Sequence, residues 1–155
     1  MRFAIYLFVL AFLAVPATAN DQVLTLESKY SVKESLDRLS AILTKKGIRV
    51  MARINHAAGA KAAGMELPPT ELLIFGNPKL GTPLMQTNRL IGLDLPMKVL
   101  AWQDASGKVQ LAYTAPSVLK SRHDITGRDA VFETMTTALA GLTAAAADAQ
   151  KGAKK

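Results

Sequence analysis

The spacing of apolar residues switches at Gly47 from a helical to a strand period, and no other feature constrains the fold as much. Before the switch, Val32, Leu36, Leu39, Ile42 and Leu43 recur at three- and four-residue intervals, so one face of a helix is apolar. Ser31 and Glu34 have the spacing of a capping box, in which hydroxyl and carboxylate satisfy each other's unpaired backbone donors. Gly47 is a natural helix stop. After it, Ile48, Val50, Ala52 and Ile54 alternate with Arg49, Met51 and Arg53, which predicts a half-buried strand with the first set facing the core. A mixed run over residues 22–30 reads as an earlier strand, so the chain opens β-α-β.

Further along, His56 sits at the strand exit, ahead of an alanine-rich stretch that favours a short helix weakened by Gly59 and Gly64. Residues 71–75, ELLIF, form an apolar run of strand length. Gly76-Asn77-Pro78 then starts a helix, with Asn77 as N-cap, Pro78 at the first helical position and Leu80, Leu84, Met85, Leu90 and Ile91 as its expected buried side. Two β-rich runs joined by Asp104-Ala105-Ser106-Gly107 read as a hairpin. A short helix is expected over 116–122. A longer one over 129–150 carries Val131, Phe132, Met135, Leu139 and Leu142 on one face. The order β-α-β-(α)-β-α-β-β-α-α lacks a strict βαβ rhythm and contains a clear hairpin, which predicts an α+β fold with a mainly antiparallel sheet covered by helices.

The N-terminus carries a different kind of information. Arg2 precedes an uncharged run from Phe3 to Val15, then Pro16 and Ala17-Thr18-Ala19, the basic, apolar and small-residue order of a secretory signal peptide. The run is shorter than the roughly 20 residues of a membrane span. Cleavage is expected after Ala19, leaving residues 20–150 as one domain and 151–155 as a basic tail without fixed structure. No cysteine follows the apolar run, which excludes a lipid-modified export signal, and the expected location is the periplasm, with no transmembrane anchor after cleavage.

The total absence of cysteine also excludes disulfides, a thiolate nucleophile and cysteine-ligated metals. Loss of Arg2 lowers the formal charge from +7 to +6, and Lys151, Lys154 and Lys155 supply half of the remainder. Basic residues elsewhere are thinly spread, without the aromatic-interleaved stripe of a nucleic-acid binder.

Candidate chemistry is sparse. Imidazole is the side chain suited to proton transfer and metal ligation near neutral pH, but the two histidines, His56 and His123, lie 67 positions apart, and no HxH or HExxH spacing supports a metal site. Met51, Met65, Met85, Met97 and Met135 are scattered and fit core packing better than soft-metal ligation. At Asn77-Pro78-Lys79 a strand runs into a helix N-terminus, a place that attracts anions, and Lys79 adds a charge. The spacing of a P-loop is absent. Ser117 and Ser121 lie near His123 without a nucleophile-elbow motif.

The succession Ile54-Asn55-His56, Thr70 to Pro78, Gly81-Thr82-Pro83-Leu84-Met85, Leu93 to Leu100 and Arg122-His123 resembles the DUF302 family, in outline from Leu26 to Leu142. The resemblance implies an α+β domain of unknown function, found alone or attached to other modules, and draws attention to His56, Asn77, Pro78, Asp94 and the Arg122-His123 pair. Asn55 departs from the acidic residue common there, which weakens a general-base role for His56. The leading expectation is a periplasmic module that binds a small, anionic ligand, with His56, Asn77, Lys79, Asp94 and His123 as candidate site residues and no metal or cofactor. An enzyme using His56 as proton carrier and a homodimeric or partner-binding module are the alternatives.

Overall fold

The computed structural model of the protein describes residues 23–148, so the expected signal segment and basic tail lie outside the described residues. Five strands form one antiparallel sheet in the order β1-β5-β4-β3-β2. The chain runs β1 (Val23–Ser28), α1 (Val32–Lys45), β2 (Arg49–Asn55), α2 (His56–Ala62), β3 (Thr70–Gly76) and α3 (Pro78–Thr87). A 3₁₀ turn (Arg89–Leu93) then leads to β4 (Met97–Gln103), β5 (Val109–Thr114), α4 (Pro116–Arg122) and α5 (Asp129–Ala147). This is an α+β fold in the expected order, with the 3₁₀ turn added.

Local chemistry explains most boundaries. Ser31 Oγ accepts from the Glu34 N–H at 3.2 Å and starts α1, and Asn77 Oδ1 accepts from the Lys79 N–H at 3.0 Å and starts α3. Gly47 ends α1 at φ +68°, a conformation that glycine adopts without steric cost. In the hairpin loop, Asp104 Oδ1 accepts from the Ser106 and Lys108 backbone amides and the Ser106 hydroxyl. Hydrogen bonds from the Ser106 and Gln110 side chains lead the causes that lower its carboxyl to a pKa of about 2.

α1 and α5 pack on each other and on one face of the sheet. Val32, Leu36, Leu39 and Leu43 of α1 and Phe132, Met135, Leu139 and Leu142 of α5 meet Leu73, Phe75, Met97, Val99, Ala101, Leu111 and Tyr113. At about 25 cal/mol per Å² of buried apolar surface, this layer contact is the main stabilising term.

Two expectations about facing change. β2 does not keep a single alternation: the register against β3 shifts between Val50 and Ala52, so Val50 pairs with Phe75 and Ala52 with Ile74, leaving Met51 as an extra residue. Such a bulge turns every later side chain to the opposite face. Arg53 therefore points to the helices, where it ion-pairs with Asp37 of α1 and with Glu71, and Ile54 points away, 41% exposed. Leu90 differs likewise: it is 64% exposed on the 3₁₀ turn, while Ile91 beside it is fully buried.

Candidate functional site

The end of the sheet where β3 finishes and β4 begins holds a cavity of about 260 Å³. Its deep wall is made by Phe75, Met97, Met135, Leu139 and Leu142, all buried, and its mouth by Met51, Asn77, Pro78 and Thr82, all exposed. Leu80, Gly81 and Met85 of α3 form one side and Leu95-Pro96 another. Two glycines keep these walls close. A Cβ at Gly76 would lie 3.3 Å from Pro96 Cβ, and one at Gly81 would lie 3.6 Å from Leu95 Cδ1. Among the described residues no charged side chain lines the cavity, and Asn77 and Thr82 are its polar side chains. Four of the five methionines considered above, Met51, Met85, Met97 and Met135, meet here, where flexible thioethers can adapt to an irregular apolar guest.

The N-terminus of α3 opens at the cavity mouth, yet its donors are used internally. Pro78 has no N–H, Lys79 N–H donates to Asn77 Oδ1, and the Leu80 and Gly81 amides both donate to the Asn77 carbonyl at 3.0 Å. Lys79, between Pro78 and Leu80 of the lining, is exposed and is not itself part of the lining.

Next to this wall lies a compact ionic cluster. Asp94 follows the 3₁₀ turn and His123 ends α4, and His123 Nε2 stands 2.6 Å from Asp94 Oδ2. Arg122 Nη1 donates to both Asp94 carboxylate oxygens at 2.9 and 3.0 Å. Lys98 Nζ donates to the Asp94 carbonyl, and Asn88 Nδ2 to that of His123. His123 is 8% exposed, whereas Arg122 reaches solvent. Burial raises the Asp94 carboxyl, but the hydrogen bonds from His123 and Arg122 outweigh it and hold the group below the usual carboxylate range. The cluster ties the segment before β4 to the end of α4.

His56 lies elsewhere. It is exposed at the first position of α2, where Asn55 Oδ1 caps the helix by accepting from the Ala58 N–H at 2.8 Å. Asn55 pairs across β3 with Glu71, which pairs with Ala101 of β4, so His56 leaves the sheet at the end opposite Asp94 and Asn77. The structure thus brings Asn77 to the cavity mouth with Lys79 next to it in the chain but outside the lining, joins Asp94 to His123 in a second group nearby, and leaves His56 apart from both. Sequence reasoning missed the cavity itself, because its walls come from β2, β3, α3, the segment before β4 and α5, whose apolar residues read as ordinary core. No cluster of three or more His, Cys, Asp or Glu that could hold a metal occurs among the described residues.

Residues 24–142 match the family described as "Domain of unknown function DUF302". The chain belongs to the DUF302 family. This DUF302 domain is 48% identical over 126 residues to the fluoride-specific ion channel FluC 1 of Brucella suis, covering 81% of this chain and 50% of that one. It is equally similar to FluC 2 of Brucella melitensis, of which 47% is covered. The DUF302 chain therefore spans about half the length of these curated relatives. Among solved structures, it resembles an uncharacterised conserved DUF302 protein from Bacillus stearothermophilus, with a TM-score of 0.72 and 19% identity over 80% of this chain and 97% of that one. That likeness is one of fold.

Proposed function

We propose that this DUF302 domain is an exported periplasmic module that binds a small amphipathic ligand, with an apolar body in the cavity and an anionic end outside it by Lys79. The observation that carries the reading is a 260 Å³ cavity whose lining, among the described residues, holds no charged side chain. Protein interiors rarely keep voids larger than a water molecule. Apolar clefts with few polar groups at the rim are the usual form of small-molecule sites. Because the α3 donors are already used, the anionic end would be met by the Lys79 ammonium and the Asn77 amide.

Binding of neutral N-phenylnaphthylamine and anionic anilinonaphthalene sulfonate, followed by fluorescence, tests both halves. The expected result is that Ala138→Phe, which fills the cavity from α5, weakens both probes at least tenfold, while Lys79→Ala weakens the anionic one alone. Equal binding of both probes to wild type and Ala138→Phe would refute the reading.

The likeness to half of each Brucella channel chain supports a module that works beside membrane proteins. α5 is long and apolar enough to cross a membrane by composition, but it supplies buried core residues here.

A second reading, an enzyme with an imidazole proton carrier, has its support at His123, because a carboxylate orients that ring as in base-orienter pairs. Turnover of a bound ligand lost in His123→Gln and kept in His56→Gln would favour it. Turnover kept in both variants would remove it.

A further inference from the structure

The face of the sheet turned away from α1 and α5 has the composition of an interior. Register places Thr25, Ala112, Leu100, Leu72 and Ile54 side by side in one row across all five strands. Ile74, paired with Ala52 and Lys98, flanks the row on one side, and Trp102, paired with Thr70 and Gln110, flanks it on the other. An antiparallel sheet with one wet face alternates apolar and polar residues, whereas strands covered on both faces read as continuous apolar runs. β3 (TELLIFG) and β4 (MKVLAWQ) are of the second kind. Their burial nevertheless alternates: Leu73, Phe75, Val99 and Ala101 are buried, and Leu72, Ile74, Leu100 and Trp102 are only partly so.

We infer that this face is the docking surface for a second copy of the chain, sheet against sheet. Such sandwiches are a standard way to complete a sheet that carries helices on one side only. Size fits: five strands of about six residues span on the order of 500 Å² in plan. Two stacked faces thus cover about 1,000 Å², the lower limit for a specific interface. The charge pattern also suits self-association. Lys98 is the one ionisable residue among the central three strands on this face, its ammonium is held by the Asp94 carbonyl, and a two-fold axis along the Leu100 row sets it opposite the other copy's Trp102 and away from the other copy's Lys98. Rotation about that axis places Leu100, Leu72 and Ile54 against their own counterparts, the self-complementarity that an isologous contact needs.

Trp102 is the only tryptophan in the chain, so its fluorescence reports on this face. The experiment is sedimentation velocity of the secreted protein from 1 to about 100 µM, alongside acrylamide quenching of Trp102. A dimer is expected, with Trp102 quenched several-fold more strongly on dilution. Ile54→Lys, at an already exposed position, and Leu72→Lys should each weaken association at least tenfold, with circular dichroism confirming that the monomers stay folded. A monomer throughout, with Trp102 freely quenched, would overturn the inference. A monomer with protected Trp102 would overturn it too, since the face would then be covered within one chain. A dimer indifferent to both substitutions, with Trp102 open, would place the contact elsewhere, for instance on the edge strands.

Discussion

Leu72 and Leu73 are adjacent, identical in chemistry and carried by the same strand, but Leu73 is 1% exposed under α1 and α5 while Leu72 is half-buried on the face that no helix among the described residues covers. The two histidines repeat the contrast. His123 is 8% exposed with a carboxylate 2.6 Å away, and His56 stands in solvent at the start of a helix. In each pair the residue type sets what is available, and the layer opposite decides what is used. A leucine without a covering layer has a transfer free energy still to gain, which makes it an interface candidate. A histidine without a partner is a solvated polar group.

Substitutions within these pairs measure the contrast directly. The largest effect is expected at Leu73→Ala, about 3–4 kcal/mol of lost stability in urea unfolding, because truncation leaves a cavity that the packed core cannot close. Leu72→Ala, measured at a concentration where the protein is monomeric, should cost less than about 1.5 kcal/mol. Equal losses would show that the second face is covered within one chain. Next in size, Asp94→Asn should cost about 2 kcal/mol at neutral pH, since hydrogen bonds to a charged group are the stronger kind and one amide oxygen replaces the carboxylate shared by buried His123 and Arg122.

The same carboxylate makes an acid-side prediction. Its folded pKa is depressed, so its contribution is complete above the unfolded carboxylate value near 4 and fades as pH falls through the folded value. The stability gap between wild type and Asp94→Asn should therefore narrow below about pH 4, and a gap constant down to strong acid would break the link. The smallest effect belongs to His56→Ala, within about 0.5 kcal/mol, as for other surface substitutions. A larger loss would mean that His56 has a partner and would blur the contrast with His123.

Much of the architecture could be read from local pattern. The helix from Val32, the start of α3 at Asn77-Pro78 and the β4-β5 hairpin depend on period, capping and turn chemistry within about ten residues, and each occurs where that chemistry places it. β2 was legible as a strand, but not in its facing. One bulged residue at Met51 reversed Ala52, Arg53 and Ile54, and a period-two count has no means of detecting a register shift that only the partner strand reveals. The candidate site divides in the same manner. Asn77 and Asp94 were conspicuous because proline neighbours and family likeness marked them, whereas Phe75, Met97, Met135 and Leu142 looked like core and became cavity wall.

The sequence by itself determined the order of elements, the absence of disulfide and thiolate chemistry, and the polar segment around Asn77. These follow from short-range propensity and from composition, which need no knowledge of what lies opposite. Only the tertiary structure decided that Asp94 meets His123 across 29 positions, that His56 leaves the sheet at the far end, that four methionines surround one cavity, and that one face of the sheet carries an apolar row that no helix among the described residues covers. Each of these depends on strand register and helix packing, where a displacement of one residue exchanges buried for exposed, and local sequence does not encode that exchange.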